Sequence, residues 1–75
     1  MSVNPYFMAS FNQWASFMVP VLERYGPIPV PPADDGWKKW ASDVVLLDFG
    51  APLPVGFNDW KEWAARLIEV VNDGF

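Results

Sequence analysis

The sequence contains no cysteine, no histidine and no threonine. Without cysteine there is no disulfide scaffold, thiolate nucleophile or thiolate metal site. Without histidine the side chain that most often moves protons near neutral pH is missing. Charge is also scarce: five basic and nine acidic side chains stand among 75 residues, for a net charge of −4. So few cations under a negative balance make a poor match for a polyanion, and direct nucleic-acid binding is not expected. No apolar run approaches the roughly 20 residues that a membrane-spanning helix needs. The segment Met1–Leu22 carries no charge at all, so it lacks both the basic n-region of a signal peptide and the cationic face of an interfacial helix. A reducing cytoplasm is the expected setting.

What the chain has in excess is aromatic carbon. Thirteen positions are Phe, Trp or Tyr, five of them tryptophan, and 52% of all residues are hydrophobic. A chain this short buries only about 60% of its unfolded surface. Thirteen aromatics, at about 150–250 Å² each, ask for roughly 2,000–3,000 Å² of cover. With no disulfide or metal to help, part of that surface is expected to be covered by another protein.

The aromatics are not scattered. Ser10-Phe11-Asn12-Gln13-Trp14-Ala15-Ser16, Gly36-Trp37-Lys38-Lys39-Trp40-Ala41-Ser42 and Asp59-Trp60-Lys61-Glu62-Trp63-Ala64-Ala65 share one phrase, aromatic-x-x-Trp-Ala-small. A mostly aliphatic turn or two follows each copy. Trp14 and Trp40 are 26 residues apart, Trp40 and Trp63 a further 23, a spacing typical of stacked helical units. A second register also exists, because Phe57-Asn58-Asp59-Trp60 matches Phe11-Asn12-Gln13-Trp14.

Within each copy the spacing is helical. Phe11, Trp14, Met18 and Val21 fall at i, i+3, i+7 and i+10; so do Trp37, Trp40, Val44 and Leu47, and Trp60, Trp63, Leu67 and Val70. These stripes predict a core anchored by Phe11, Trp14, Trp37, Trp40, Trp60, Trp63 and Leu67. Ser10 with Gln13 and Asp59 with Glu62 have capping-box spacing. Asp34 and Asp35 place negative charge ahead of the second helix. Tyr25-Gly26-Pro27, Phe49-Gly50-Ala51-Pro52 and Asp73-Gly74-Phe75 read as terminators. Pro20 predicts a kink or an early stop in the first helix, and Asn4-Pro5 can open a helical turn of its own.

The expected fold is therefore mostly α: three short amphipathic helices in one small domain, joined by proline-rich extended linkers. The helical units fall at about 10–25, 37–49 and 59–72, with the helices themselves near Ser10–Leu22, Trp37–Leu47 and Asp59–Asn72. The linkers, 26–35 and 50–58, alternate proline with aliphatic residues and favour polyproline II. Their apolar teeth, Ile28, Val30, Leu53 and Val55, together with Tyr6, Phe7 and Phe17, are the surplus expected to bind a partner.

Tests for catalysis find little. Asp34-Asp35 belongs to a turn and Asp59…Glu62 to a helix cap. The five glycines are isolated, so no phosphate loop exists, and none of the four serines has a base beside it. Lys38-Lys39, the only basic pair, reads as a solvated helix face, with Lys39–Asp43 and Glu62–Arg66 spaced for i,i+4 pairing. An enzyme is not expected, and neither is a cofactor, a metal, a membrane or a small-molecule substrate.

The phrase Trp60-Lys61-Glu62-Trp63-Ala64-Ala65-Arg66-Leu67, with its two earlier copies, resembles those of small Trp-rich accessory proteins of tailed-bacteriophage virions. The resemblance implies a structural role in the virion: a clip, plug or adaptor on capsid, neck or tail proteins, present in many symmetric copies, with no catalytic residues. A different class, a small acidic inhibitor of a host enzyme or nucleic-acid-binding protein, would gather its carboxylates on one face. Here they are spread from Glu23 to Asp73. A third reading is an autonomous three-helix domain with no obligate partner.

Overall fold

Three α-helices form where the aromatic phrases stand: α1 (Phe11–Leu22), α2 (Trp37–Val45) and α3 (Trp60–Asp73). The structure, a computed structural model, describes residues 5–33 and 36–73. The features expected at Asp34, Asp35, Gly74 and Phe75 lie outside the described residues.

The starts of α1 and α3 are capped by side chains, whereas α2 begins after Gly36 without a side-chain cap. Ser10 is extended, and its Oγ accepts from the Gln13 N–H at 3.2 Å. The Gln13 side chain returns one residue earlier than a capping box requires, accepting from the Ala9 N–H at 3.1 Å. In α3 the Asp59 carboxylate accepts from the Lys61 N–H at 3.1 Å, and its carbonyl takes the Glu62 N–H at 3.2 Å.

The ends depart more from expectation. α1 does not stop at Pro20 but runs on to Leu22 and into a 3-10 turn, Glu23–Tyr25. Proline's fixed φ fits a helix, and the one hydrogen bond it removes belongs to the Ser16 carbonyl. Ser16 and Pro20 are both exposed, so that loss falls where water reaches. α2 closes at Val45, two residues short of Leu47. Leu47 and Asp48 donate to the carbonyls of Val44 and Val45, and Asp48 then turns left-handed at φ 59°. The left-handed residue after α2 is thus an aspartate, with Gly50 (φ 96°) two residues later.

The linkers are not extended throughout. Leu53 has polyproline II dihedrals, but Pro54–Gly56 winds into a 3-10 turn with proline first, as does Pro5–Phe7 before α1. In both turns the residue after the turn donates back to the proline carbonyl: Phe57 to Pro54 at 3.0 Å and Met8 to Pro5 at 3.2 Å.

The core register differs from the predicted stripes by one position. Buried are Phe11, Trp14, Ala15, Met18 and Leu22 from α1, Trp37, Trp40, Ala41 and Val44 from α2, and Trp63, Ala64, Leu67 and Val71 from α3. Val21, Leu47 and Val70 are only half-buried, and so is Trp60. At about 100° per residue, i+10 lies about 80° from the first residue of the stripe, whereas i+11 lies about 20° away. Leu22 and Val71 therefore take the inward place. The alanine of each Trp-Ala pair, at i+4, lets the helices approach closely.

The three units close into a ring. Trp14, Trp40 and Trp63 meet pairwise edge to face, with centroids 6.1–6.4 Å apart and planes at 79–85°. The first aromatic of each unit packs on the second aromatic of the next: Phe11 on Trp40 at 5.4 Å, Trp37 on Trp63 at 6.0 Å, and Trp60 back on Trp14 at 6.1 Å. The leading linker of each unit follows the same order. Pro54–Gly56 packs on α2, the Asn12 amide of α1 holds the linker that carries Pro31 and Pro32 ahead of α2, and Pro5–Phe7 packs on α3. This is a closed pseudo-threefold arrangement and not an open stack. It also selects one repeat register, because Trp63 and not Trp60 is the equivalent of Trp14.

The ring answers the burial demand mostly by itself. The tryptophans cover one another, and the radius of gyration of 11.0 Å matches the roughly 11 Å of a compact chain of this length. The accessible surface, 4674 Å², is close to the approximately 4,700 Å² of an ordinary folded monomer of this mass. No partner is needed to bury Trp14, Trp37, Trp40 and Trp63.

Candidate interaction surface

The linkers are pinned to the ring from inside. Trp40 donates its Nε1–H to the Pro29 carbonyl at 2.9 Å, and Trp63 donates to Pro52 at 2.7 Å. Asn12 Nδ2 donates to the carbonyls of Pro31 and Pro32 at 3.3 and 3.0 Å, and Pro54 is buried. Proline has no N–H to offer, so the prolines of these segments hydrogen-bond through their carbonyls.

Pinning every other residue turns the ones between outward. Val30, between Pro29 and Pro31, is 89% exposed; Val55, next to buried Pro54, is 83% exposed. Leu53 is exposed as well. Val30 and Leu53 occupy the same position ahead of their tryptophans, and so do Tyr6 and Val55. Phe7, in the first 3-10 turn, is 86% exposed, and Tyr6 and Phe17 are about half exposed.

Six of the seven side chains read from the sequence as surplus thus stand on the surface: Tyr6, Phe7, Phe17, Val30, Leu53 and Val55. Ile28 does not; it is half-buried against the chain's own core. Leu46 was missed, and it is exposed. It stands nine residues after Trp37, about 180° around the helix from the buried stripe, a signal available from spacing alone.

Lys39 pairs with Asp43 at 3.6 Å, as its spacing predicts. Arg66 does not pair with Glu62; it reaches Glu69 at 2.6 Å. Lys38 and Lys61, equivalent in the ring, extend over the faces of Trp37 and Trp60 at 5.8 and 5.9 Å. Each ammonium lies along the outer side of a ring-forming indole, as a snorkelling lysine does.

A shallow groove of about 180 Å³ runs between the linker ahead of α2 and α2 itself, lined by Pro29, Val30, Pro32 and Trp40 with Lys39 and Asp43. It is smaller than the roughly 300 Å³ at which small-molecule pockets begin, and its two charges satisfy each other. Among the described residues no three acidic side chains gather as a metal site would require. No described helix is long and apolar enough to cross a membrane. No family model, curated protein or solved structure matches this chain.

Proposed function

We propose that this chain is a non-enzymatic docking module that attaches to a larger protein assembly through the apolar side chains of its linkers and N-terminal turn. The observation that carries this reading is the exposure of Phe7, Val30 and Val55 on backbone held from within by buried prolines and indole hydrogen bonds. Teeth on a stiff, pinned support lose little conformational freedom on binding, so more of their burial appears as affinity. Aromatic and aliphatic anchors of this kind do most of the work at protein interfaces.

The setting proposed for this module is the virion of a tailed phage, as the Trp-rich phrase suggests, with several symmetric copies on capsid, neck or tail proteins. The role involves neither nucleic acid nor lipid, in keeping with the net charge of −4. It also needs no substrate.

Quantitative mass spectrometry of the purified particle tests the reading. The wild-type chain is expected at a fixed stoichiometry of many copies. A Phe7→Ser, Val30→Ser, Val55→Ser variant should keep its thermal unfolding curve nearly unchanged, because exposed substitutions cost little, yet be absent from the particle. Full recovery of that variant, or recovery of the wild type with one host enzyme only, overturns it.

A further inference from the structure

The third unit of the ring is a separable piece. It carries its own linker, because Trp63 binds the Pro52 carbonyl within the unit. It meets the first unit with no connecting segment, by Trp60 and Trp63 on Trp14 and by Pro5–Phe7 on α3. The rings that its two indoles touch are Phe11, Trp14, Trp37 and Trp40, all in the other two units. A second copy of the chain presents the same four rings.

The turn that joins this piece to α2 is strained. Asp48 holds φ 59°, the one described non-glycine residue in the left-handed region, and Gly50 follows at φ 96°. An extended conformation at Asp48 would release that strain. Leu46, Asp48 and Gly50 are exposed, and Phe49 between them is clasped by a stack on Tyr25 at 4.1 Å. Short connections under strain are the places where identical elements are exchanged between copies.

We propose that the chain exchanges its third unit, residues 51–73, with a second copy, residues 48–50 opening as the hinge. Each ring then closes as before, with Trp63 of one copy against Trp14 and Trp40 of the other. Stretched out, residues 46–51 span about 20 Å, comparable with the 23 Å short dimension of the molecule, so the released unit reaches a neighbouring ring. A twofold axis lays the two opened hinges side by side, and the exposed Leu46 of each copy borders that new contact. Release of two strained aspartates opposes the entropy of association and the loss of two Tyr25–Phe49 stacks, so the exchange is favoured at high concentration. It is independent of the docking reading, since none of the docking side chains takes part.

The full chain provides the test. Refolded from denaturant at millimolar concentration, it should give a dimer beside the monomer by size-exclusion chromatography with light scattering. In a dimer refolded from mixed ¹³C-labelled and unlabelled chains, isotope-filtered spectra should show Trp63 of one copy against Trp14 of the other. A chain monomeric at every concentration, or a dimer without that contact between copies, overturns the proposal. Asp48→Gly accepts the left-handed turn without strain and should weaken the dimer at least about tenfold; Asp48→Val keeps the N–H to Val45 but disfavours that turn and should tighten it by a similar factor. Asp48→Gly carries this comparison alone where Asp48→Val does not fold, and an unchanged dissociation constant in Asp48→Gly overturns the proposal.

Discussion

The indoles of Trp40 and Trp63 meet edge to face at 6.3 Å and 85°, and each donates its N–H to the proline carbonyl eleven residues before it. One residue type thereby fills the centre of the ring and ties down a linker. Apolar packing and polar satisfaction are met by the same side chain at these two positions.

Trp63→Phe separates the two roles. Phenylalanine keeps a ring in the core but removes the donor to Pro52 and leaves a void. A loss of about 2–4 kcal/mol is expected from cavity and hydrogen-bond terms together, read as a lower midpoint in urea unfolding followed by circular dichroism. A change under about 1 kcal/mol would mean that the ring tolerates the missing edge.

Gly26 follows the turn after α1 at φ 146°, and a Cβ there would lie 2.9 Å from Leu47 Cδ2. Gly26→Ala is strained in both backbone and packing, and a cost of about 1–3 kcal/mol is expected. Gly56→Ala is the control, since a Cβ there meets nothing within 4 Å. Its thermal midpoint should be unchanged or slightly raised.

Asn12→Ala cuts the side-chain bonds to Pro31 and Pro32. The expected global loss is about 1–2 kcal/mol. Released from α1, the linker ahead of α2 should also be cleaved faster by a broad-specificity protease than in the wild type. Unchanged proteolysis would show that the Trp40–Pro29 bond holds that linker without help.

The surface ion pairs should matter little. Both partners of Arg66–Glu69 are about two-thirds exposed and the Lys39–Asp43 pair is long. Replacing Arg66 or Asp43 by alanine should shift stability by less than about 0.5 kcal/mol. High salt should therefore leave the unfolding midpoint almost unmoved on their account.

Much of the fold is legible in the linear chain. Each stripe from an aromatic residue to the aliphatic residue seven positions on states a helix and its inward face. Ser10 and Asp59 mark two of the starts to the residue. These are local effects, governed by the 3.6-residue period and by donors within a turn of their acceptors. The exposed set was legible for a related reason: proline-flanked aliphatics on stiff links have little of their own structure to hide in. Ile28 escaped that logic because its orientation depends on the linker's path over the core.

The amino-acid order alone thus determined three amphipathic helices, two of them with side-chain caps, their proline-shaped connections and a threefold repetition of one phrase. Tertiary structure decided that the repeats close on themselves. It also decided that Trp63 and not Trp60 answers Trp14, that Leu22 and Val71 replace Val21 and Val70 inside, and that proline carbonyls receive the indoles. These outcomes share one cause. Closing a ring joins residues far apart in the chain, and every residue carries a carbonyl, so no side-chain pattern shows which carbonyl a distant tryptophan will find.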